Sequence, residues 1–203
     1  DGDWKDYRTG LFFVEQMARL REAGIPVFLV HGNHDAVNRI TRSLRLPDNV
    51  RVFGPRHPET KVLEELGIAI HGQSYEERDV RDDLTARYPP AVPARFNIGL
   101  LHTSLDGRPG HDSYAPCALP DLMAKGYDYW ALGHVHQREV VSEEPWIVFP
   151  GNLQARHVRE PGAKGATLVT VEDGRIVAVE HEVFDVLRFA RVPVDVSRCA
   201  DRA

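Results

Sequence analysis

Three histidine-bearing segments contain the residues of this chain whose types and spacing could do chemistry together. They read GNHD at residues 32–35, LLHTS at 100–104 and GHVH at 133–136, and each follows an apolar run. Imidazole nitrogens, amide oxygens and carboxylates bind manganese, iron or zinc, and histidine also transfers protons near neutral pH. The pattern therefore predicts a metal-binding or proton-transferring site.

The apolar runs predict strands that would bring the three segments together. In α/β sheets, ligands bind beyond the carboxyl ends of the strands. The side chains expected to meet there are Asn33, His34, Asp35, His102, His134 and His136. Within GHVH the two imidazoles would face one side of an extended segment, and the preceding glycine is expected to allow a tight turn. Any one segment alone is better explained as structural, whereas three at strand ends favour a shared site.

The remaining histidines lack such neighbours in the sequence, and we expect them to be structural or exposed to solvent. They are His57, His71, His111, His157 and His181. Of these, only His71 ends a predicted strand, as the candidate ligands do.

Composition restricts the class of protein. The chain has 203 residues, a formal net charge of -5 and two cysteines in no metal-type spacing. This length suits one domain with a sizeable core, and the few cysteines favour a reducing compartment, so we expect a cytoplasmic protein. No apolar run approaches the roughly 18 residues of a membrane span. A nucleic-acid partner would need a local basic patch or a metal, because the net charge is negative.

Alternating helical and extended patterns predict an α/β protein. Helices are expected at residues 7–23, 36–46, 79–88 and 119–125. Strands are expected at residues 26–30, 50–53, 61–63, 67–71, 96–102, 127–132, 139–142, 146–149, 166–172 and 175–184. The first helix should bury the face that carries Phe13, Met17 and Leu20. The strand at 26–30 is apolar throughout, which is typical of a sheet covered on both faces.

The three histidine segments together resemble the calcineurin-like metallophosphoesterases, and wider stretches resemble the bacterial SbcD-type DNA repair exonucleases. Those stretches read DGDWKDYRTGLFFVEQM, SLRLPDNVRVF, GIAIHGQSY, FNIGLLHTSLDG, GYDYWALGHVH and IVFPGNLQARHVRE. The resemblance implies an α/β metallophosphoesterase sandwich of two mixed β-sheets flanked by helices. It also implies two divalent metal ions at the strand ends, expected to be Mn²⁺, with iron or zinc as alternatives.

The resemblance also implies a role for each candidate residue. Asn33, His102 and His134 would bind the second metal, and His136 would bind the first. His34 would point at the phosphate without binding metal, and Asp35 would hydrogen-bond His34. Such an imidazole could protonate or stabilise the leaving group, and an adjacent carboxylate would fix its tautomer.

The sequence departs from the family pattern at its start. The family's Asp-x-His motif is absent, and so is the Gly-Asp whose carboxylate bridges the metals. Asp1 resembles only the last residue of a Gly-Asp-x-x-Asp motif, and the bridging role is carried over to neither Asp1 nor Asp3. We therefore expect residues 1–189 to be a nuclease domain without its first βα unit, inactive alone. Residues 190–203 are expected to be a linker or the start of a capping domain.

Several arginines after GNHD indicate a substrate. Arg39, Arg42 and Arg45 recur at helical spacing, and a positive patch of this kind binds phosphate backbones without sequence preference. A solvated helix face would give the same pattern. The resemblance implies DNA as substrate and an SMC-like or AAA-type ATPase subunit as partner, with a homodimer possible. A small-molecule phosphodiesterase or nucleotide phosphatase of the same fold, and a metal-free scaffold, are the alternatives.

Overall fold

The structure is a computed structural model that describes residues 7–36, 38–106, 114–195 and 197. Its helices are α1 (Tyr7–Glu22), α2 (Arg39–Ser43) and α3 (Leu119–Met123), and single 3₁₀ turns lie at Glu64–Leu66 and Thr85–Arg87. Its strands are β1 (Val27–Leu29), β2 (Val50–Val52), β3 (Glu59–Leu63), β4 (Ile68–Gly72), β5 (Phe96–His102), β6 (Tyr129–Gly133), β7 (Glu139–Glu143), β8 (Trp146–Phe149), β9 (Gly165–Glu172) and β10 (Arg175–Val183).

A six-stranded mixed sheet forms the centre of the described structure. Its order is β3-β4-β5-β6-β8-β7. The four middle strands run parallel and the two edge strands antiparallel, which confirms the predicted α/β class. The other four described strands form two separate pairs, β1 with β2 in parallel and β9 with β10 in antiparallel orientation.

Alternation along β5, β6 and β8 divides the core between the two faces of this sheet. Trp130, Leu132, Ile147 and Phe149 belong to the larger apolar cluster on one face. Tyr129 and Val148, one residue out of step, belong to a smaller cluster that also includes Val169, Ile176 and Val179 of the β9–β10 pair. The hairpin therefore covers one face of the sheet, and the larger cluster fills the other.

The β1–β2 pair is less buried than its apolar sequence predicts. All three residues of β1 are only half-buried, whereas the pattern at residues 26–30 indicated a strand covered on both faces. Only one partner strand, β2, pairs with β1 among the described residues, so the second edge adds no burial there. Helix α1 forms as predicted, with Phe13, Met17 and Leu20 half-buried.

Two consecutive residues after β4 connect the β1–β2 pair to the central sheet. The backbone N–H of His31 donates to the Ser74 hydroxyl, 3.0 Å away, and that hydroxyl donates to the Phe53 carbonyl at 2.6 Å. The Tyr75 backbone N–H donates to the His31 carbonyl at 2.9 Å. The Tyr75 hydroxyl donates to the His102 carbonyl, also at 2.9 Å. Ser74 and Tyr75 therefore set the position of the GNHD loop relative to β5.

The predicted helix at residues 79–88 is wrong. Only the 3₁₀ turn at Thr85–Arg87 forms. The Asp83 carboxylate accepts hydrogen bonds from the backbone N–H and the hydroxyl of Thr85, at 2.7 and 2.5 Å. Side-chain acceptors of this kind compete with the helical backbone pattern. The Val80 carbonyl accepts a hydrogen bond from the backbone N–H of Ala115 at 2.8 Å. It therefore pairs with a distant segment of the chain and not within a helix.

The predicted helix at residues 36–46 is shorter than expected. Helix α2 begins after the Asn38 cap, whose side chain accepts from two backbone N–H groups, and it ends at Leu44 in extended conformation. The extended course lets Leu44 and Leu46 line an apolar cavity of about 140 Å³ shared with Phe13 and other residues. Arg45 therefore lies beyond the helix, and the expectation that it shares a helix face is wrong.

The chain after β10 has no helix or strand among the described residues, but it is hydrogen-bonded to the loop at 152–164. Gln154 accepts from the backbone of Val186 and donates to the Leu187 carbonyl. Gly162 donates to the Phe189 carbonyl at 3.0 Å. The division into residues 1–189 and 190–203 stays a prediction. No helix within the described part of the chain is long and apolar enough to span a membrane.

Candidate functional site

Strand register brings two predicted ligands side by side. His102 at the end of β5 pairs with Gly133 at the end of β6, so His134 is the next residue beyond that edge. The two imidazole rings lie 5.2 Å apart, centre to centre, in an edge-on arrangement. Tyr114 packs edge-on against His134, with 5.7 Å between ring centres.

Asn33 reaches the same position from the loop after β1. Its side-chain oxygen lies 3.0 Å from His102 Nε2, across 69 residues of sequence, and the residue is 5% exposed. Asn33, His102 and His134 therefore converge, as the sequence led us to expect. Their role as metal ligands stays a prediction.

Two glycines make room for the His102 ring. A Cβ atom on Gly32 would lie 2.5 Å from ring atoms of His102, and one on Gly133 would lie 2.9 Å from His102 Nδ1. The tight turn expected at Gly133 is instead formed by His134, whose φ is 103°. This torsion lies in a region that residues with side chains rarely adopt. His134 and His136 lie in bends, so GHVH is not the extended segment in which the two imidazoles would face one side.

The pKa of His102 responds to burial and to three other imidazoles. Burial is the largest effect on its pKa, and the nearby imidazoles of His134, His34 and His136 act in the same direction. Together they lower the pKa of His102 to about 3. The ring is therefore neutral at physiological pH, the state in which an imidazole can bind metal.

His136 is held by a carboxylate that the sequence pattern did not single out. His136 Nδ1 donates to Glu160 Oε1 at 2.7 Å. The other carboxylate oxygen accepts from the Asn152 side chain at 3.1 Å and from the Arg156 backbone N–H at 2.8 Å. Burial acts to raise the pKa of Glu160, but these hydrogen bonds lower it to about 2.

The two predicted catalytic residues lie in the same region. His34 is close enough to His102 to influence its pKa, and it is partly buried. The Asp35 carboxylate accepts from the Gly32 backbone N–H at 3.3 Å. A contact between Asp35 and His34, and the part of His34 in chemistry, stay predictions.

Ser74 and Tyr75 also belong to the site, although the sequence analysis assigned no role to either residue. The Tyr75 ring packs edge-on against His102, with 5.2 Å between ring centres, in addition to the hydroxyl contact described above. Both residues end the stretch GIAIHGQSY, which contributes to the family resemblance but implied no role for them. Only the folded chain shows that they join the two regions that provide the candidate ligands.

The remaining histidines differ in their surroundings. His71 is fully buried in the sheet, where Nδ1 contacts the Thr60 hydroxyl at 2.8 Å and Nε2 contacts the Asn97 side chain at 3.0 Å. Its ring stacks on Tyr127 at 4.2 Å. His71 is therefore structural. His57 is exposed, and His111 lies outside the described residues.

The donor set fits a divalent metal, in part. Neutral imidazoles and a buried amide oxygen suit manganese, iron or zinc. Among the residues that the structure describes, no three His, Cys, Asp or Glu side chains are grouped closely enough to hold an ion. The close group consists of two imidazoles and one amide. Asp1 and Asp3, the N-terminal carboxylates considered above, lie outside the described residues.

The basic residues after GNHD divide into two kinds. Arg39 and Arg42 lie in α2, but their side chains are outside the described part of the structure. Arg45 is exposed after the helix. Binding of substrate by these three residues stays a prediction.

Comparison with known proteins identifies the family. The scaffold is α/β, and its gathered donors suit a metal-dependent enzyme. The model of the calcineurin-like phosphoesterase superfamily domain matches residues 2–174, and the chain belongs to this superfamily. The family resemblance is thereby confirmed. Phosphoesterases of this superfamily are hydrolases that generally bind divalent metals.

Individual relatives carry more specific names. The uncharacterized metallophosphoesterase YhaO of Bacillus subtilis is 41% identical over 197 residues, which are 95% of this chain and 48% of that protein. The DNA double-strand break repair protein Mre11 of Methanopyrus kandleri is 28% identical over 192 residues, 82% of this chain and 42% of its own length. Mre11 of Sulfurisphaera tokodaii is 27% identical over 171 residues, 77% of this chain and 43% of that protein. The chain spans less than half of each relative.

Proposed function

We propose that the protein is a metal-dependent exonuclease that hydrolyses phosphodiester bonds of DNA. The observation that carries the proposal is the convergence of Asn33, His102 and His134, where a buried amide oxygen lies 3.0 Å from a neutral imidazole. The names of the Mre11 relatives support DNA as the substrate. Exposed Arg45 supports it too, as part of the expected patch with Arg39 and Arg42.

The candidate residues would have different roles in such a reaction. When bound, a metal pair stabilises negative charge on phosphate and activates water. Asn33, His102 and His134 would hold one ion and His136 the other, with Mn²⁺ as the expected metal. His34 would protonate or stabilise the departing oxygen. Asp35 would support His34.

The partners of the proposed nuclease follow from the resemblance alone. An SMC-like or AAA-type ATPase subunit would regulate access to DNA, and a homodimer would present two sites. A cytoplasmic location suits both partners. Co-purification of the full-length protein from its native cells would test for the ATPase, and light scattering of the isolated protein would test for the homodimer.

The test is an assay of the full-length protein with Mn²⁺ on end-labelled linear DNA and on bis(p-nitrophenyl) phosphate. We expect shortening of the DNA from its ends. His102→Ala should abolish it, whereas exposed His57→Ala should not. Hydrolysis of the small ester without DNA cleavage would instead identify a small-molecule phosphodiesterase. Failure to bind any metal would identify a scaffold.

Residues 1–203 by themselves should show little activity with Mn²⁺. The ligands placed above are neutral, and metal affinity grows with the number and charge of ligands. The comparison is between this chain and one extended upstream, on the same labelled DNA. Equal rates would mean that a carboxylate within residues 1–203 fills the bridging position.

A further inference from the structure

We propose that Glu160 is a positioning residue that makes His136 a metal ligand by fixing its tautomer and ring direction. The inference rests on the proposed role of His136 as a metal ligand, and it adds Glu160 as the residue that orients this ligand. His136 Nδ1 donates to Glu160 at 2.7 Å, and the Glu160 side chain is 10% exposed. A neutral imidazole that carries its proton on Nδ1 has its acceptor lone pair on Nε2. The carboxylate therefore leaves Nε2 as the only nitrogen able to bind a cation.

The carboxylate is itself fixed, so it can orient the ring. Its Oε2 atom accepts from the Asn152 side chain and from the Arg156 backbone N–H, at 3.1 and 2.8 Å. These contacts use Oε2, whereas Oε1 accepts from His136 at 2.7 Å and also lies 3.6 Å from Nε2 of exposed His157. The arrangement matches the general rule that metal-binding histidines donate their second N–H to an oxygen that sets their orientation.

The backbone of His136 is also held, by a buried lysine. Lys164 Nζ donates to the His136 carbonyl at 2.9 Å, and Lys164 is 2% exposed. The Asn152 backbone N–H donates to the same carbonyl at 3.3 Å. Ring and backbone of His136 are therefore both fixed by one loop, at residues 152–164.

Glu160→Gln is the informative variant because it preserves the hydrogen bonds within the loop but reverses which ring nitrogen of His136 carries the proton. The amide oxygen can replace Oε2 and keep the contacts to Asn152 and Arg156. The amide nitrogen then faces His136 Nδ1 with a donor, so Nδ1 must accept and Nε2 must carry the proton. A protonated Nε2 does not bind metal. A purely structural role for Glu160 would tolerate the exchange.

The experiment measures Mn²⁺ binding by calorimetry and by metal content in the full-length protein, with unfolding temperature recorded in parallel. For Glu160→Gln we expect about 10–100-fold weaker binding at one of two sites. The other site and the unfolding temperature should be unchanged. Glu172→Gln, exposed on the hairpin, is the matched control. In a double variant with His136→Ala, the second change should add little to the loss.

Three outcomes would overturn the inference. They are unchanged Mn²⁺ affinity in Glu160→Gln, an equal loss in the control, and full additivity with His136→Ala. Should Glu160→Gln unfold, Asn152→Ala removes one support of the carboxylate while leaving the His136 contact, and it should weaken the same site to a smaller extent. No weakening would overturn the inference. This experiment measures metal binding and not DNA cleavage. If the wild-type protein does not cleave DNA in the separate nuclease assay, that result would count against the proposed function alone.

Discussion

Strands β5 and β6 lie in the middle of a six-stranded sheet, whereas β1 pairs only with β2 among the described residues. Strand β5 ends at His102, and His134 directly follows the end of β6. The core below them includes fully buried Trp130 and Phe149. The half-buried β1 ends in the loop that carries Asn33 and His34. The sheet therefore offers fixed imidazoles, and the smaller pair supplies a segment that must be brought to them. Ser74 and Tyr75 make that connection.

The largest expected effect separates what the two regions contribute to activity. In the full-length protein, His34→Ala should lower turnover by about 10²–10⁴-fold, the usual range for general acid catalysis, and leave metal content unchanged. His102→Ala should remove metal as well. DNA cleavage rates and metal analysis of the purified variants check both. Loss of metal in His34→Ala would make His34 a ligand and the division of roles wrong.

A second test compares the stability of the two regions directly. Trp130→Ala should lower the free energy of unfolding by about 3–5 kcal/mol, since it opens a cavity in the core. Phe28→Ala in half-buried β1 should lower it by roughly half as much, because less apolar area is lost. Denaturant unfolding of both variants gives the two values. Equal losses of unfolding free energy in the two variants would contradict the view that the central sheet is more tightly packed than the β1–β2 pair.

The connection between the regions can be broken with Ser74→Ala. The change leaves the His31 N–H and the Phe53 carbonyl without their hydroxyl partner, which should destabilise the protein by about 1–3 kcal/mol. It should also weaken Mn²⁺ binding, because the GNHD loop loses its fixed position relative to His102. Ser43→Ala, at an exposed serine, is the control. Unchanged Mn²⁺ affinity would mean that Tyr75 alone suffices.

A smaller effect concerns backbone strain at the end of β6. A residue with a side chain at φ 103° costs about 1–3 kcal/mol. His134→Gly and His134→Ala both remove the imidazole, but only glycine relieves the torsion. We expect His134→Gly to be the more stable of the two by about 1 kcal/mol in denaturant unfolding. The reverse order would mean that the bend is unstrained.

The smallest effect is a change in the pH dependence of stability. Burial lowers the pKa of His71 below 6.5, although its bond to Asn97 acts in the opposite direction. The unfolded chain therefore binds more protons than the folded one below pH 6.5, and stability falls as pH falls through the folded pKa. His71→Gln should reduce this slope without abolishing it, because the lowered pKa of His102 acts with the same sign. Chemical unfolding at a series of pH values measures this slope.

Local sequence patterns predicted the elements that hold the site. Strands β5 and β8 have the predicted bounds, because continuous apolar runs indicate buried strands. The apolar face of α1 was also predicted. The helix expected at residues 79–88 was not formed, because helical spacing does not show that Asp83 will bind the backbone of Thr85.

The supporting residues could not be predicted, because their contacts join distant parts of the sequence. Glu160 meets His136 across 24 residues, Ser74 meets His31 across 43, and Tyr75 meets His102 across 27. Each is a single polar residue in a loop, without a repeating pattern that would mark its role. The candidate ligands were recognisable because each follows an apolar strand, whereas the residues that orient them follow none.

The positive φ of His134 bears on how this chain could change under selection. Relatives that no longer needed the imidazole would gain stability from a glycine at that position, and few single substitutions in a folded protein offer such a gain. Replacement of His134 should therefore be favoured in lineages where the imidazole is no longer needed. A histidine that is retained in this conformation therefore indicates that the imidazole is still needed. A survey of diverging lineages can test this, by asking whether His134 is lost together with Asn33 and His102.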